Sequence, residues 1–274
     1  MFKKVAIVGT GLIGGSLALA IKKNKLAASV VGVSRREASI TQARRMGAID
    51  SGSRSLDIVK GADLVVLATP VNTILELAPK IARFIDKKCI VIDVGSTKEE
   101  ISARLSRIFP GYVGTHPLAG SEKRSIVHSS AGLFKGSLCL LTPTDKTNKK
   151  VLGKVIKLWL AVGAKTVDLL PREHDIALSF ISHLPHLAAF SLIQTVPQEF
   201  LKFGSSGLKD TTRIASSDSR IWADIFLSNA GNIFKALDLF KNNISAITKA
   251  IAGKDRSKLV RILESAKAKR EKLG

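Results

Sequence analysis

A short apolar run, Val5-Ala6-Ile7-Val8, ends in Gly9-Thr10-Gly11-Leu12-Ile13-Gly14, and residues from about 11 to 23 then carry a helical pattern. This junction limits what the chain can fold into more than any other feature. An apolar run closed by glycine reads as a strand buried on both faces of a parallel sheet. A GxGxxG spacing between that strand and a helix is the arrangement that admits a dinucleotide pyrophosphate. The first glycine makes the tight turn, the second lets backbone approach the phosphates, and the third lets helix and strand pack closely. The helix start supplies unpaired N–H groups and a partial positive charge. A glycine-rich turn without a ligand is the alternative reading.

Further apolar runs at 30–33, 64–68 and 89–94 are separated by helical stretches through residue 46 and around 75–84. Alternating strands and helices predict right-handed crossovers and a doubly wound α/β sheet, with ligands at the carboxyl ends of the strands. Runs at 112–115, 137–141 and 164–169 extend the sheet, with a helix over 148–161 between the last two. After Pro171 the apolar residues recur at helical spacing, so the expected division is an α/β dinucleotide-binding domain over 1–170 and an all-helical domain over 171–274. The segment 173–195 is apolar almost all round, which predicts burial against a second copy and a homodimer. No internal repeat is visible.

The 274 residues carry 43 Lys and Arg against 22 Asp and Glu, a net charge of +21 that invites a nucleic-acid or anionic-membrane reading. The excess forms no basic block, and only 14 residues are aromatic, 11 of them Phe, so base-stacking platforms are scarce. A solvated basic face that attracts anionic small molecules is the preferred reading, with no nucleic-acid partner. Lys3 and Lys4 before an uncharged stretch imitate a signal peptide, yet four glycines between 9 and 15 split that stretch into strand, turn and helix. No other segment is expected to cross a bilayer. Cys89 and Cys139 lie in strand-like runs and build no disulfide framework, which suits a reducing cytoplasm.

Twenty residues beyond Gly14, where an NAD site places Asp or Glu against the ribose, this chain has Ser34-Arg35-Arg36. A hydroxyl and two guanidinium groups suit a 2′-phosphate, so NADP is expected, with NAD the alternative if these arginines are merely solvated. Thr69 and Pro70, at the end of the run 64–68, complete the cofactor-binding set of Gly9, Gly11, Leu12, Ile13, Gly14, Ser34, Arg35 and Arg36. His116 directly follows a strand and Ser96 lies in a neighbouring loop; the pair could serve as acid–base groups, with Ser96 fixing the tautomer or bridging to substrate. A purely structural histidine is the alternative. Ser182-His183-Leu184-Pro185-His186 sets two imidazoles three apart, and Lys209-Asp210-Thr211-Thr212-Arg213 supplies a cation. A metal site is discounted because no further Cys or carboxylate completes a ligand set. One of the two histidines could equally be a packing residue, and Trp222 reads as core.

Taken in order, Gly9 to Ser16, Asp93-Val94-Gly95-Ser96-Thr97-Lys98, His116-Pro117-Leu118-Ala119-Gly120-Ser121-Glu122, the Ser182–His186 block and Lys209-Asp210-Thr211-Thr212-Arg213-Ile214-Ala215 closely resemble the prephenate and arogenate dehydrogenases of tyrosine biosynthesis. The resemblance implies a Rossmann-type domain, a helical dimerisation domain, and oxidative decarboxylation of prephenate or arogenate with hydride transfer to NAD(P). It further implies that His116 accepts the proton of the ring hydroxyl and Ser96 orients the reacting groups. Arg213 would bind a substrate carboxylate, with His183, His186, Ser121 and Asp210 around the pocket and Glu122 near its entrance. The two histidines resemble prephenate-using members, whereas Ser34-Arg35-Arg36 resembles NADP-using members that often take arogenate. Two other classes remain open: an NADP-linked β-hydroxyacid or imine reductase, which leaves the His116 block unexplained, and a non-catalytic dinucleotide or nucleic-acid binder.

Overall fold

The computed structural model describes residues 1–119 and 125–273. The amino-terminal run is β1 (Phe2–Val8), and α1 (Leu12–Lys23) follows the glycine turn. Alternation continues through β2 (Ala27–Val33), α2 (Glu37–Arg45), β3 (Ser51–Ser53), β4 (Leu64–Leu67), α3 (Val71–Ile81), β5 (Ile90–Asp93), α4 (Glu99–Ile108), β6 (Tyr112–Pro117), β7 (Leu138–Thr142), α5 (Lys149–Ala161) and β8 (Lys165–Asp168). The strands form one sheet in the order β3-β2-β1-β4-β5-β6-β7-β8. Strand order reverses between β1 and β4, which opens a crevice at their carboxyl ends.

Strands β1 to β6 are parallel, but β7 runs antiparallel to β6, with His116 opposite Leu140 and Pro117 opposite Cys139. A parallel return needs a crossover, usually a helix. Among the described residues the stretch between β6 and β7 holds only a short helical turn, Ile126–His128. The chain therefore comes back beside β6 in the opposite sense, and β8 pairs parallel to β7.

Side-chain alternation builds a core on each face. Val5 and Ile7 of β1 join Leu64 and Val66 of β4 beneath Leu17, Ile21, Leu158 and Trp159 of α1 and α5. Ala6 and Val8, with Val65 and Leu67, pack on the opposite face against Ile74, Ala78 and Ile81 of α3 and Ile101 and Leu105 of α4. Each such Val, Leu or Ile side chain taken from water contributes roughly 1.5–3 kcal/mol before entropy is counted. Burial on both faces is why these strands read as unbroken apolar runs.

After β8 the chain is helical: α6 (Pro171–Leu178), α7 (Leu184–Thr195), α8 (Ser206–Thr212), α9 (Ser219–Ser228), α10 (Ala230–Ala252) and α11 (Arg256–Glu271). Pro171 sits at the first position of α6, where its missing N–H costs nothing, and the Glu173 carboxylate accepts the Leu170 N–H at 3.1 Å. A π-helical turn, Ser179–His183, joins α6 to α7 in one continuous helix. It lies just before Pro185, which has no N–H for the carbonyl four residues back. The 25-residue helix is apolar enough to cross a bilayer by length and composition alone, although His174, Asp175, Ser179 and His183 on it are buried. Secondary structure changes from sheet to helix near residue 170, whereas compactness divides the chain into Met1–Asn229 and Ala230–Gly274. The second unit is the helix pair α10 and α11, with Asp255 capping α11 through the Lys258 N–H at 2.9 Å.

The glycine turn is sterically committed. Gly9 holds φ +103°, and a Cβ on Gly14 would lie 2.1 Å from the Gly9 carbonyl oxygen and 2.9 Å from the Ala68 Cβ. Gly14→Ala is expected to cost about 2–5 kcal/mol in urea denaturation. Gly153→Ala, inside α5 with open space around its Cβ, is expected to stabilise by about 0.4–1 kcal/mol.

Candidate active site

The carboxyl ends of β1, β4, β5 and β6 and the helical segments after Pro171 enclose a cavity of about 750 Å³. Gly11, Leu12 and Ile13 line it beside Thr69 and Pro70; Ser96 and His116 line the middle; His183, His186 and Arg213 line the far wall. Gly9 and Gly14 shape the turn from behind. Asp210, on α8, is exposed and does not line the cavity. Ser121 and Glu122 lie outside the described residues. Among the described residues no group of three or more His, Cys, Asp or Glu could hold a metal ion.

The glycine turn fits a dinucleotide. Gly11 caps α1 without a side-chain hydrogen bond, and a Cβ there would meet open space, so the N–H groups of the helix start face room for a phosphate. The buried hydroxyls Thr10 Oγ1 and Thr69 Oγ1 have no hydrogen-bond partner among the described residues. Orphaned buried polar atoms are rare and point to a missing ligand. At the end of β2, outside the cavity lining, Ser34 Oγ accepts the Arg36 N–H at 3.4 Å and the Ser34 N–H donates to the Ser53 carbonyl at 3.3 Å. Because β3 places Ser53 opposite Val33, Arg54 follows beside Ser34. That cation escaped the sequence reading, since β3 is three residues long and carries no apolar signature.

His116 stands at the end of β6 with its Nδ1 2.9 Å from His174 Nε2, and His174 Nδ1 lies 2.7 Å from Asp175 Oδ1. The tautomer-fixing contact expected of Ser96 is thus made by His174, since β6 and α6 bring the two rings together; Ser96 keeps a place on the cavity wall. Asp175 also accepts the N–H groups of Lys98 at 2.7 Å and Glu99 at 2.9 Å, at the start of α4. Beneath them Lys98 Nζ pairs with the Asp93 carboxylate, both fully buried. Asp93 accepts in addition the Tyr112 hydroxyl at 2.7 Å and the Gly95 N–H at 2.8 Å. Asn229 Nδ2 donates to the Asp175 carbonyl at 2.7 Å and to His183 Nδ1 at 3.0 Å.

Trp222, expected in the core, forms part of the cavity wall: His186 stacks on it with centroids 3.5 Å apart, and His183 meets it edge-on at 6.1 Å. The π-helical turn and Pro185 set this arrangement, with His183 buried and His186 half-buried. His174, Asp175, Asn229 and the Asp93–Lys98 pair had no role in the sequence reading. A His-Asp pair at the start of an otherwise apolar helix was the one available signal.

Burial is the largest influence on every imidazole here, and it disfavours the charged form. His116 lies well below the ordinary histidine value, pushed further by His174, Lys98 and His183. His174 is lowered by burial although the Asp175 hydrogen bond raises it. His183 falls to about 4, and His186 is lowered by burial despite its bond to the Ser182 carbonyl. All four are neutral at pH 7. Between pH 4 and 6.5 the unfolded chain therefore binds protons that the folded chain refuses, and stability falls as pH falls. The displacement of His183 from 6.5 to about 4 alone withdraws about 3 kcal/mol across that window. Urea midpoints measured from pH 7.5 to 4 should decline through this range.

Family models place the chain with known proteins. Residues 17–168 match the prephenate dehydrogenase nucleotide-binding domain and residues 170–265 the prephenate dehydrogenase dimerization domain. The prephenate dehydrogenase of Bacillus subtilis is 35% identical over 98% of this chain and 76% of its own length. A crystal structure of prephenate dehydrogenase from Aquifex aeolicus, in complex with hydroxyphenyl propionate and NAD+, superposes with a TM-score of 0.95 at 35% identity, covering 100% of this chain and 99% of that one. Synechocystis arogenate dehydrogenase gives a TM-score of 0.85 at 27% identity, covering 99% and 100%. Both parts of the chain thus match one family over nearly its whole length, and the chain is a member of the prephenate dehydrogenase family of NAD(P)-dependent oxidoreductases.

Proposed function

We propose that the protein oxidatively decarboxylates prephenate to 4-hydroxyphenylpyruvate and carbon dioxide in tyrosine biosynthesis, with NADP+ the preferred oxidant and a homodimer the working form. The observation that carries this reading is His116. It is a neutral imidazole at a strand end, in one cavity with a dinucleotide turn at one side and Arg213 at the other. A nicotinamide dinucleotide, when bound, supplies the hydride acceptor. Gly11, Leu12 and Ile13 would hold its pyrophosphate, and Thr10 and Thr69 offer it their hydroxyls.

The chain's own groups then have distinct tasks. His116 takes the proton of the ring 4-hydroxyl as the carbon beneath becomes carbonyl-like, and returns it to the oxygen once loss of the ring carboxylate has made the ring aromatic. No net proton is released, so the base needs only to hold one. Ser96 orients the hydroxyl. Arg213 binds a carboxylate of a doubly anionic substrate, and the apolar wall of Leu178, Ile221 and Ile225 excludes water from a site where charge is being moved.

NADP is supported by Ser34, Arg35, Arg36 and Arg54 at the end of β2 and β3, with no carboxylate among them. Assembly as a dimer is supported by the matched dimerization domain and by the outward apolar side chains of Phe180, Ile181, Leu192 and Phe203. The same matches support a functional boundary near residue 170. A second substrate, arogenate, is favoured by one detail. His186 donates its Nδ1 proton to the Ser182 carbonyl at 3.0 Å, which leaves Nε2 able to accept from a substrate ammonium group.

Reduced-cofactor absorbance with prephenate and arogenate, each crossed against NAD+ and NADP+, tests the proposal. Turnover is expected with prephenate, and kcat/KM is expected to be higher for NADP+. No reduction in any of the four mixtures overturns the activity, and a higher value with NAD+ overturns the cofactor preference alone. His116→Asn should lower kcat by about 10²–10⁴-fold with cofactor affinity unchanged.

A further inference from the structure

We infer that His174 and Asp175 are positioning residues that hold the catalytic proton: they fix which nitrogen of His116 faces the substrate, and His174 receives the charge that His116 passes back. The inference rests on the dehydrogenase reading above. Neither residue lines the cavity, and both are buried, His174 at 0% and Asp175 at 1% exposure.

The geometry leaves one self-consistent proton pattern. A carboxylate only accepts, so the 2.7 Å contact between Asp175 Oδ1 and His174 Nδ1 requires the His174 proton on Nδ1. A neutral imidazole has one N–H, so His174 Nε2 presents a lone pair to His116 Nδ1 at 2.9 Å. His116 therefore carries its own proton on Nδ1, and its Nε2 is bare. The opposite tautomer of His116 would set two lone pairs against each other.

The same chain says where positive charge rests. When Nε2 of His116 accepts the substrate hydroxyl proton, the O–H bond breaks and an N–H bond forms on Nε2, while the Nδ1–H bond of His116 breaks and its proton bonds to His174 Nε2 across the existing 2.9 Å hydrogen bond. Both transfers reverse when the aromatised product's ring oxygen is reprotonated. The groups around the two rings favour that transfer. His116 faces His174, His183 and Lys98, all of which oppose charge on it. His174 faces Lys98 too, but also Asp175 and Asp93, which favour charge on it. Asp175 is itself pinned by the Lys98 and Glu99 N–H groups, so the acceptor is in place before substrate arrives.

Two variants of the full chain test this, assayed with the best substrate and cofactor of the wild type. Asp175→Ala removes the acceptor of the His174 Nδ1 proton, which frees that proton to sit on His174 Nε2, where it donates to His116 Nδ1 and puts the His116 hydrogen on Nε2. His174→Gln keeps an acceptor for His116 Nδ1 but removes the proton store. Asp175→Ala is expected to lower kcat by about 10²–10⁴-fold with KM and cofactor Kd unchanged. His174→Gln is expected to lower kcat and to move the acid limb of the kcat–pH profile to lower pH, because that limb belongs to the coupled pair in the wild type. If Asp175→Ala loses its cooperative melt through the α4 contact, His174→Gln carries the test. Wild-type kcat and an unmoved acid limb in His174→Gln overturn the inference, as does a loss shared equally by kcat and KM with the limb unmoved. A wild type that turns over neither substrate defeats the dehydrogenase reading instead.

Discussion

Asp175 is a buried carboxylate that joins three parts of the chain. Its oxygens take the N–H groups of Lys98 and Glu99 at the head of α4 and the Nδ1 proton of His174, while its backbone carbonyl takes Asn229. Each bond to an ionised acceptor is stronger than a neutral one, and leaving any of these groups unpaired in the interior would cost more than the bond contributes. The contact therefore fixes the helix after β8 against the head of α4, at the carboxyl ends of the strands, and with it the spacing between the glycine turn and the helical wall of the cavity.

From that anchor the electrostatics of the cleft follow. The imidazoles are kept neutral mainly by burial, so His116 is free to accept a proton, and under the proposed function the positive charge that meets a carboxylate in the cavity comes from Arg213. The Asp93–Lys98 pair lies fully buried below, with the carboxylate further satisfied by Tyr112 and Gly95. Such a pair is a poor source of stability by itself. Here its value is positional: Asp93 ends β5 and Lys98 opens α4, so the pair clamps the loop that carries Ser96.

Much of this was legible in the linear chain, and the reasons differ by residue. The glycine turn, the alternating strands and helices, and His116 at a strand end are local patterns, each written within a few neighbours. His183 and His186 were visible as a pair, but Trp222, which packs on both, was hidden because its partners lie more than thirty residues away. His174, Asp175 and Asn229 were missed for the same reason: their roles arise only when α6 and α9 fold back over β6. The reversal of β7 goes with the lack of a crossover helix among the described residues between β6 and β7, a weak signal in a polar stretch. Arg54 was masked by a strand too short to show periodicity.

The central claim is a proton pattern, and it can be read directly. Long-range ¹⁵N–¹H correlation NMR of histidine-labelled protein at pH 7 distinguishes the neutral tautomers of each ring and the imidazolium. His116 is expected to be neutral, protonated on Nδ1 and bare on Nε2. An Nε2–H tautomer or a charged His116 ring under those conditions would contradict it.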